Sequence, residues 1–224
     1  MFKKLIIAAI SASFVVSAAL ADSTNFGIRI SAADLSASGS ETTDQATTVT
    51  QSERSSDFVL PSIFVERQID LAQYMNTEAS ISIGLDFVPL TANLTSINNA
   101  KGVDADIKAG NLVTAYIQPT FSVNENVSVY GKIGYAQGDL EVSNVLRAAN
   151  TDGETAPTDT KADLTLEGPM YGIGAQLDNG GGAFIRLEMT MTDFDTISYT
   201  NSNSKKLTAD AEMENITITV GKSF

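Results

Sequence analysis

The feature that most constrains this chain is a period-two alternation of apolar and polar residues that recurs along its length without any segment of helical period. Alternation places unlike side chains on the two faces of a strand. In Ile185-Arg186-Leu187-Glu188-Met189-Thr190-Met191-Thr192 one face is wholly apolar and the other carries charge and hydroxyls. Ala79–Phe87, Val127–Tyr135 and Ile216–Gly221 repeat the pattern, and weaker versions run through Phe26–Ser31, Asp57–Glu66, Asn111–Val123 and Met170–Leu177. That makes eight strands. Pro61 and Pro119 each remove a ladder donor, which points to bulges or strand ends.

The connections supply the topology. Short ones fall at Gln68–Asn76, Asn124–Asn126 and Asp178–Gly182, the last with the glycine and asparagine chemistry of a tight turn. Long polar ones fall at Ala37–Ser56, Leu90–Lys108, Val142–Asp163 and Thr200–Thr208. Three short turns interleaved with four long connections are what eight antiparallel strands give in an up-and-down barrel. Both termini then lie at the short-turn end.

Alternation alone leaves open which face is outside. A soluble barrel buries its apolar face, whereas a membrane barrel turns it to lipid and keeps polar groups within. The polar face carries Arg29, Asp86, Lys132, Arg186 and Glu188 at mid-strand positions, with Glu66 and Glu167 as further partners for the cations. The apolar face is mostly aliphatic, and tryptophan is absent. These points favour a transmembrane barrel with Ile185, Leu187, Met189 and Met191 facing lipid. A secreted, lipocalin-like barrel with an apolar interior is the soluble rival. Phe26, Phe87, Phe121, Tyr135, Tyr171 and Phe224 are the candidates for an interfacial aromatic girdle.

The N-terminus reads as an export signal. Met1-Phe2-Lys3-Lys4 is basic, the run that follows is uncharged, and Ala19-Leu20-Ala21 is a small-residue cleavage site. This predicts a signal peptide over residues 1–21 and a barrel domain over 22–224. The leader contains two lysines and no acid, so the formal charge of −13 becomes −15 in the remainder. Such a chain, with no basic patch, is a poor partner for nucleic acid. There is no cysteine, hence no disulfide, thiolate metal site or lipidated cysteine.

The last ten residues, Asn215 to Phe224, resemble the terminal strand of bacterial outer-membrane barrels. Such strands end in an aromatic residue preceded by alternating apolar positions, here Phe224, Val220, Ile218 and Ile216, while Lys222 departs from the pattern. The chain is similar in architecture to the small OmpA/OmpX-like outer-membrane barrel family. That resemblance implies recognition of the C-terminal strand by the barrel assembly machinery. It implies contact with outer-membrane lipid and lipopolysaccharide, and a monomeric barrel with extracellular long connections and periplasmic termini.

Catalysis finds little support. There is no histidine, so the proton-transfer mechanisms of outer-membrane barrel enzymes cannot be assembled, and Lys132 is the one strand lysine able to serve a serine. No cofactor or metal is expected. Asp104-Ala105-Asp106 and Asp193-Phe194-Asp195 lack the full spacing of a calcium loop. The expected role is therefore non-enzymatic, structural or in surface interaction. A small gated pore, opened by exchange of ion-pair partners in the lumen, is the alternative.

Overall fold

The computed structural model describes residues 23–42, 48–50, 54–71, 78–89, 92–98, 103–147, 161–200 and 206–224. The leader over residues 1–21 lies outside them. Ten strands occur among the described residues: β1 (Ser23–Thr42), β2 (Thr48–Thr50), β3 (Arg54–Asp70), β4 (Ala79–Val88), β5 (Ala92–Asn98), β6 (Val103–Asn124), β7 (Val127–Arg147), β8 (Lys161–Asp178), β9 (Ala183–Thr200) and β10 (Lys206–Ser223). Eight form the wall, in the order β10-β9-β8-β7-β6-β4-β3-β1, and antiparallel pairing of β1 with β10 closes it. The result is a closed eight-stranded up-and-down barrel. β2 caps the end of β1, and β5 continues the line of β4 along β6.

The short turns follow from local chemistry. Gly180 and Gly182 sit at φ +72° and +84°, a region closed to most side chains. The Asn179 carboxamide oxygen accepts from the Gly181 and Ala183 amides at 2.8 and 3.1 Å. Asn124 does the same for Asn126 and Val127. Where the chain closes, Thr24 and Phe224 exchange two backbone hydrogen bonds of 2.9 Å, and the Phe26 and Phe224 rings stack at 5.1 Å.

Ile185, Leu187, Met189 and Met191 point outward, between 40 % and 57 % exposed, whereas Arg186 and Glu188 on the opposite face are 3 % and 1 % exposed. Phe26, Ile28 and Ile30 of β1, Ile133 of β7, Ile173 of β8 and Ile216, Ile218 and Val220 of β10 continue the outward apolar surface around the wall. So large an apolar surface is the signature of a lipid-facing belt, and it overturns the soluble reading, in which these residues would fill the interior. Phe26, Phe121 and Phe224 edge the belt at the short-turn end.

The strands are much longer than expected. About ten tilted residues cross a bilayer, yet β1, β6 and β7 have 20, 22 and 21. Large parts of Ala37–Ser56, Leu90–Lys108, Val142–Asp163 and Thr200–Thr208, expected as loops, are strand. The reason is that the alternation changes phase. Inside the wall, beyond the belt, Ala33, Leu35, Leu60, Ala136, Leu140, Leu166, Phe194 and Met213 form one buried apolar cluster. The outward positions there are acidic, among them Asp34, Asp57, Asp193, Glu212 and Glu214. Among the described side chains, the wall strands are apolar-out near the short turns and apolar-in beyond.

The wall pairing changes at the same level. β3 pairs with β4 only from Ile63–Phe87 down to Asp70–Ser80, and β8 with β9 only from Met170–Thr192 down to Asp178–Phe184. Beyond those points no ladder joins β3 to β4 or β5, or β8 to β9, among the described residues. Two sheets remain, β9-β10-β1-β3 and β8-β7-β6-β5, with the apolar cluster between their inner faces. This is the packing of a β-sandwich, the natural solution in water. At one division Gly168 lets β9 lie flush, since a Cβ there would meet the Asp193 carbonyl oxygen at 2.0 Å. The molecule is a barrel within the belt and a sandwich beyond it.

Candidate functional site: the charged lumen and its apolar cover

Within the belt the lumen is polar. Arg29 on β1, Glu66 on β3, Asp86 on β4, Lys132 on β7 and Arg186 and Glu188 on β9 all project inward, because each lies on the phase opposite to the lipid-facing residues. Among the described residues these three cations meet three carboxylates. Arg29 bridges Asp86 and Glu188, and Glu188 also holds the Lys132 ammonium. Arg186 grips Glu66 with both terminal nitrogens, at 2.5 and 3.0 Å. Its Nε donates to the Gln176 Oε1 at 2.5 Å. Such bidentate, charge-assisted bonds are the strong kind.

Glu66 organises the cluster. Fully buried, it also accepts from the Tyr116 hydroxyl at 2.9 Å and from the Asn25 Nδ2 at 2.8 Å. Asn25 donates in addition to Gln68 at 3.1 Å. Lys132 Nζ lies 4.4 Å from the centre of the Tyr116 ring, and the Arg186 guanidinium 4.5 Å from that of Phe184. Gly84 makes room for Tyr116, because a Cβ there would meet the ring at 2.3 Å.

The five charged residues expected in the lumen are thus brought together. Glu66, named only as a further partner, is central, whereas Glu167 lies on the outer face of β8, opposite Gln137. Tyr116, Asn25 and Gln118 were not singled out in the sequence. Their signal is that they share the inward phase of their strands. Asp193 and Asp195 turn outward on either side of the inward Phe194, and no acidic group fit for a metal occurs among the described residues. The side chains of Asp104 and Asp106 lie outside the described residues.

Above this cluster the sandwich core covers the lumen. The space left between Leu35, Phe58, Leu60, Val88, Leu112 and Phe194 is about 30 Å³, the size of a single water, and its walls are apolar. Among the described residues the lumen is thus filled by paired charges and covered by a layer of apolar side chains.

A closed antiparallel sheet with a lipid-facing belt and a polar lumen defines a transmembrane β-barrel of the outer-membrane type. The family model described as "Outer membrane protein beta-barrel domain" matches residues 6–224, and the chain belongs to that family. Among solved structures it is similar to the outer membrane protein OprG from Pseudomonas aeruginosa, with 15 % identity, 88 % of this chain and 96 % of that one covered, and a TM-score of 0.51. It is also similar to Neisserial surface protein A, with 11 % identity, coverage of 89 % and 99 %, and a TM-score of 0.45. A third is the outer membrane protease OmpT from Escherichia coli, with 10 % identity, coverage of 91 % and 97 %, and a TM-score of 0.47. At 15 % identity the likeness to OprG shows the fold alone. A search of curated protein sequences finds no match.

Proposed function

We propose that this outer-membrane barrel is a non-enzymatic, non-conducting protein of surface interaction. Its sandwich half stands outside the cell as a rigid pedestal for the connections at its far end. The single observation that carries the reading is the dry apolar core between the two sheets. A layer of this kind resists wetting, and it opposes the gated-pore alternative even if the ion pairs below it exchange partners. Short turns on the periplasmic side and long excursions outside are the rule for such barrels, and this supports periplasmic termini here. We also propose that Phe224, Val220, Ile218 and Ile216 serve as the assembly signal, that residues 1–21 are removed on export, and that the barrel works as a monomer. The absence of histidine supports the non-enzymatic part.

The test is single-channel recording in planar bilayers. The native barrel gives no discrete openings, and neither do Lys132→Ala or Arg186→Ala when correctly folded. A polar opening of the cover, Leu35→Ser with Leu140→Ser, raises ion leak. Steady conductance from the native protein, altered by the lumen substitutions, would replace this reading with the pore.

A further inference from the structure

A shallow, mostly apolar groove lies on the outer surface of the described wall. It has a volume of about 950 Å³ and crosses β7, β8, β9, β10, β1 and β3 along one line of paired residues. Gly131 faces Ile173, which faces Met189, then Ile216, Ala32 and Val59. Small side chains open it: a Cβ on Gly131 would touch nothing within 4 Å, and Ala32 leaves a gap between two large neighbours. The groove is continuous with the lipid belt. Crossing six strands spaced about 4.8 Å apart, it is long enough for one extended hydrocarbon chain.

One end of the groove is not apolar. Asp57, Asp34 and Glu214 line it, and they are direct cross-strand neighbours, Asp57 opposite Asp34 and Asp34 opposite Glu214. Their Cβ atoms are therefore about 5 Å apart. Among the described residues Asp34 accepts a long hydrogen bond of 3.4 Å from the Ser36 hydroxyl, and no lysine or arginine pairs with any of the three carboxylates. Like charges placed directly opposite destabilise a sheet. At the edge of a membrane such a row accepts a cation, and the groove below it accepts an aliphatic chain.

We propose that this groove docks an amphiphile with an ammonium headgroup, its chain along Gly131, Met189 and Ile216 and its head at Asp57, Asp34 and Glu214. Charge complementarity selects the head. Continuity with the lipid belt selects the chain.

The chain has no tryptophan, so a single introduced one reports locally. Met189→Trp places it in the groove, and Ile173→Trp is a second reporter on the same line should the first fail to fold. Ile28→Trp, also lipid-facing, lies off the groove. Each full-length barrel is reconstituted in phosphocholine vesicles, folding is checked by gel mobility without heating, and quenching is titrated with a brominated-chain alkylammonium or a brominated-chain phosphocholine. One exposed ion pair is worth roughly fivefold in such a ratio. The expected result is an ammonium preference of about fivefold or more at position 189 or 173, and about onefold at position 28. The triple substitution D34N, D57N, E214Q brings the groove reporter to about onefold. Equal preference at both positions, or one that survives the triple substitution, overturns the proposal. So does quenching that favours a phosphate-headed brominated lipid only with Mg²⁺ and is lost on chelation, since the carboxylates would then hold a divalent cation.

Discussion

Replacing Glu66 by glutamine tests how the lumen is held. The substitution keeps the shape but leaves the Arg186 guanidinium, 3 % exposed, without the carboxylate that receives two of its hydrogen bonds. Breaking a buried pair by removing one partner costs about 3–5 kcal/mol, because the surviving charge stays desolvated. Gln176 still accepts from the Arg186 Nε, which puts the expected loss near the lower end, about 3 kcal/mol. That is roughly a 150-fold fall in the folded-to-unfolded ratio. The assay is reversible urea unfolding in phospholipid vesicles, followed by circular dichroism. With a slope of about 2 kcal/mol per molar urea, the midpoint drops by about 1.5 M. Removing both charges, Glu66→Gln with Arg186→Met, takes the stranded cation away and restores more than half of the loss. A midpoint within 0.3 M of native for Glu66→Gln, or a double variant whose loss is the sum of the single ones, would show that the pair does not hold the lumen as described.

The sandwich core makes its own prediction: Phe194→Ala lowers stability by about 3–5 kcal/mol in the same assay, yet the protein still inserts, because its belt is untouched. Leu187→Arg costs about 2–4 kcal/mol in a bilayer, while Asp195→Arg, outward on the same strand beyond the belt, changes stability by less than 1 kcal/mol; equal effects would refute the change of phase. Gly84→Ala pushes Tyr116 from its bond to Glu66 and costs about 1–3 kcal/mol, read as a lowered urea midpoint. Deleting Phe224 removes two backbone hydrogen bonds to Thr24 and the stack on Phe26, about 2 kcal/mol in the refolded barrel. Its larger effect falls on outer-membrane levels in cells, and normal levels of the truncated chain would contradict an assembly role.

The barrel was legible in the sequence because lipid and lumen impose opposite demands on neighbouring residues. In β9 the run from Ile185 to Met191 states both demands at once. The sandwich was missed because it uses the same period in the other phase. In β10, Ile216, Ile218 and Val220 are apolar at even positions, Asn215 is the joint, and Met213 and Ala211 are apolar at odd ones. In β8 the switch falls between Leu166 and Tyr171. Read in one phase, each strand ends at its joint and the remainder looks like polar loop. The lumen charges were recognisable from their mid-strand positions. Their pairing was not, since Arg186 and Glu66 are 120 residues apart and meet only through the stagger of the wall.

The joints in the alternation have a consequence for where the molecule can sit. They act as a depth gauge. Sliding outward by one residue pair would lift roughly one apolar side chain per strand out of hydrocarbon, on the order of 10 kcal/mol for eight strands. Sliding inward would draw Asp34, Asp57, Asp193 and Glu214 into it, a few kcal/mol for each charge. The restoring force is steep in both directions, so the position of the sandwich half relative to the bilayer is written residue by residue into its strands.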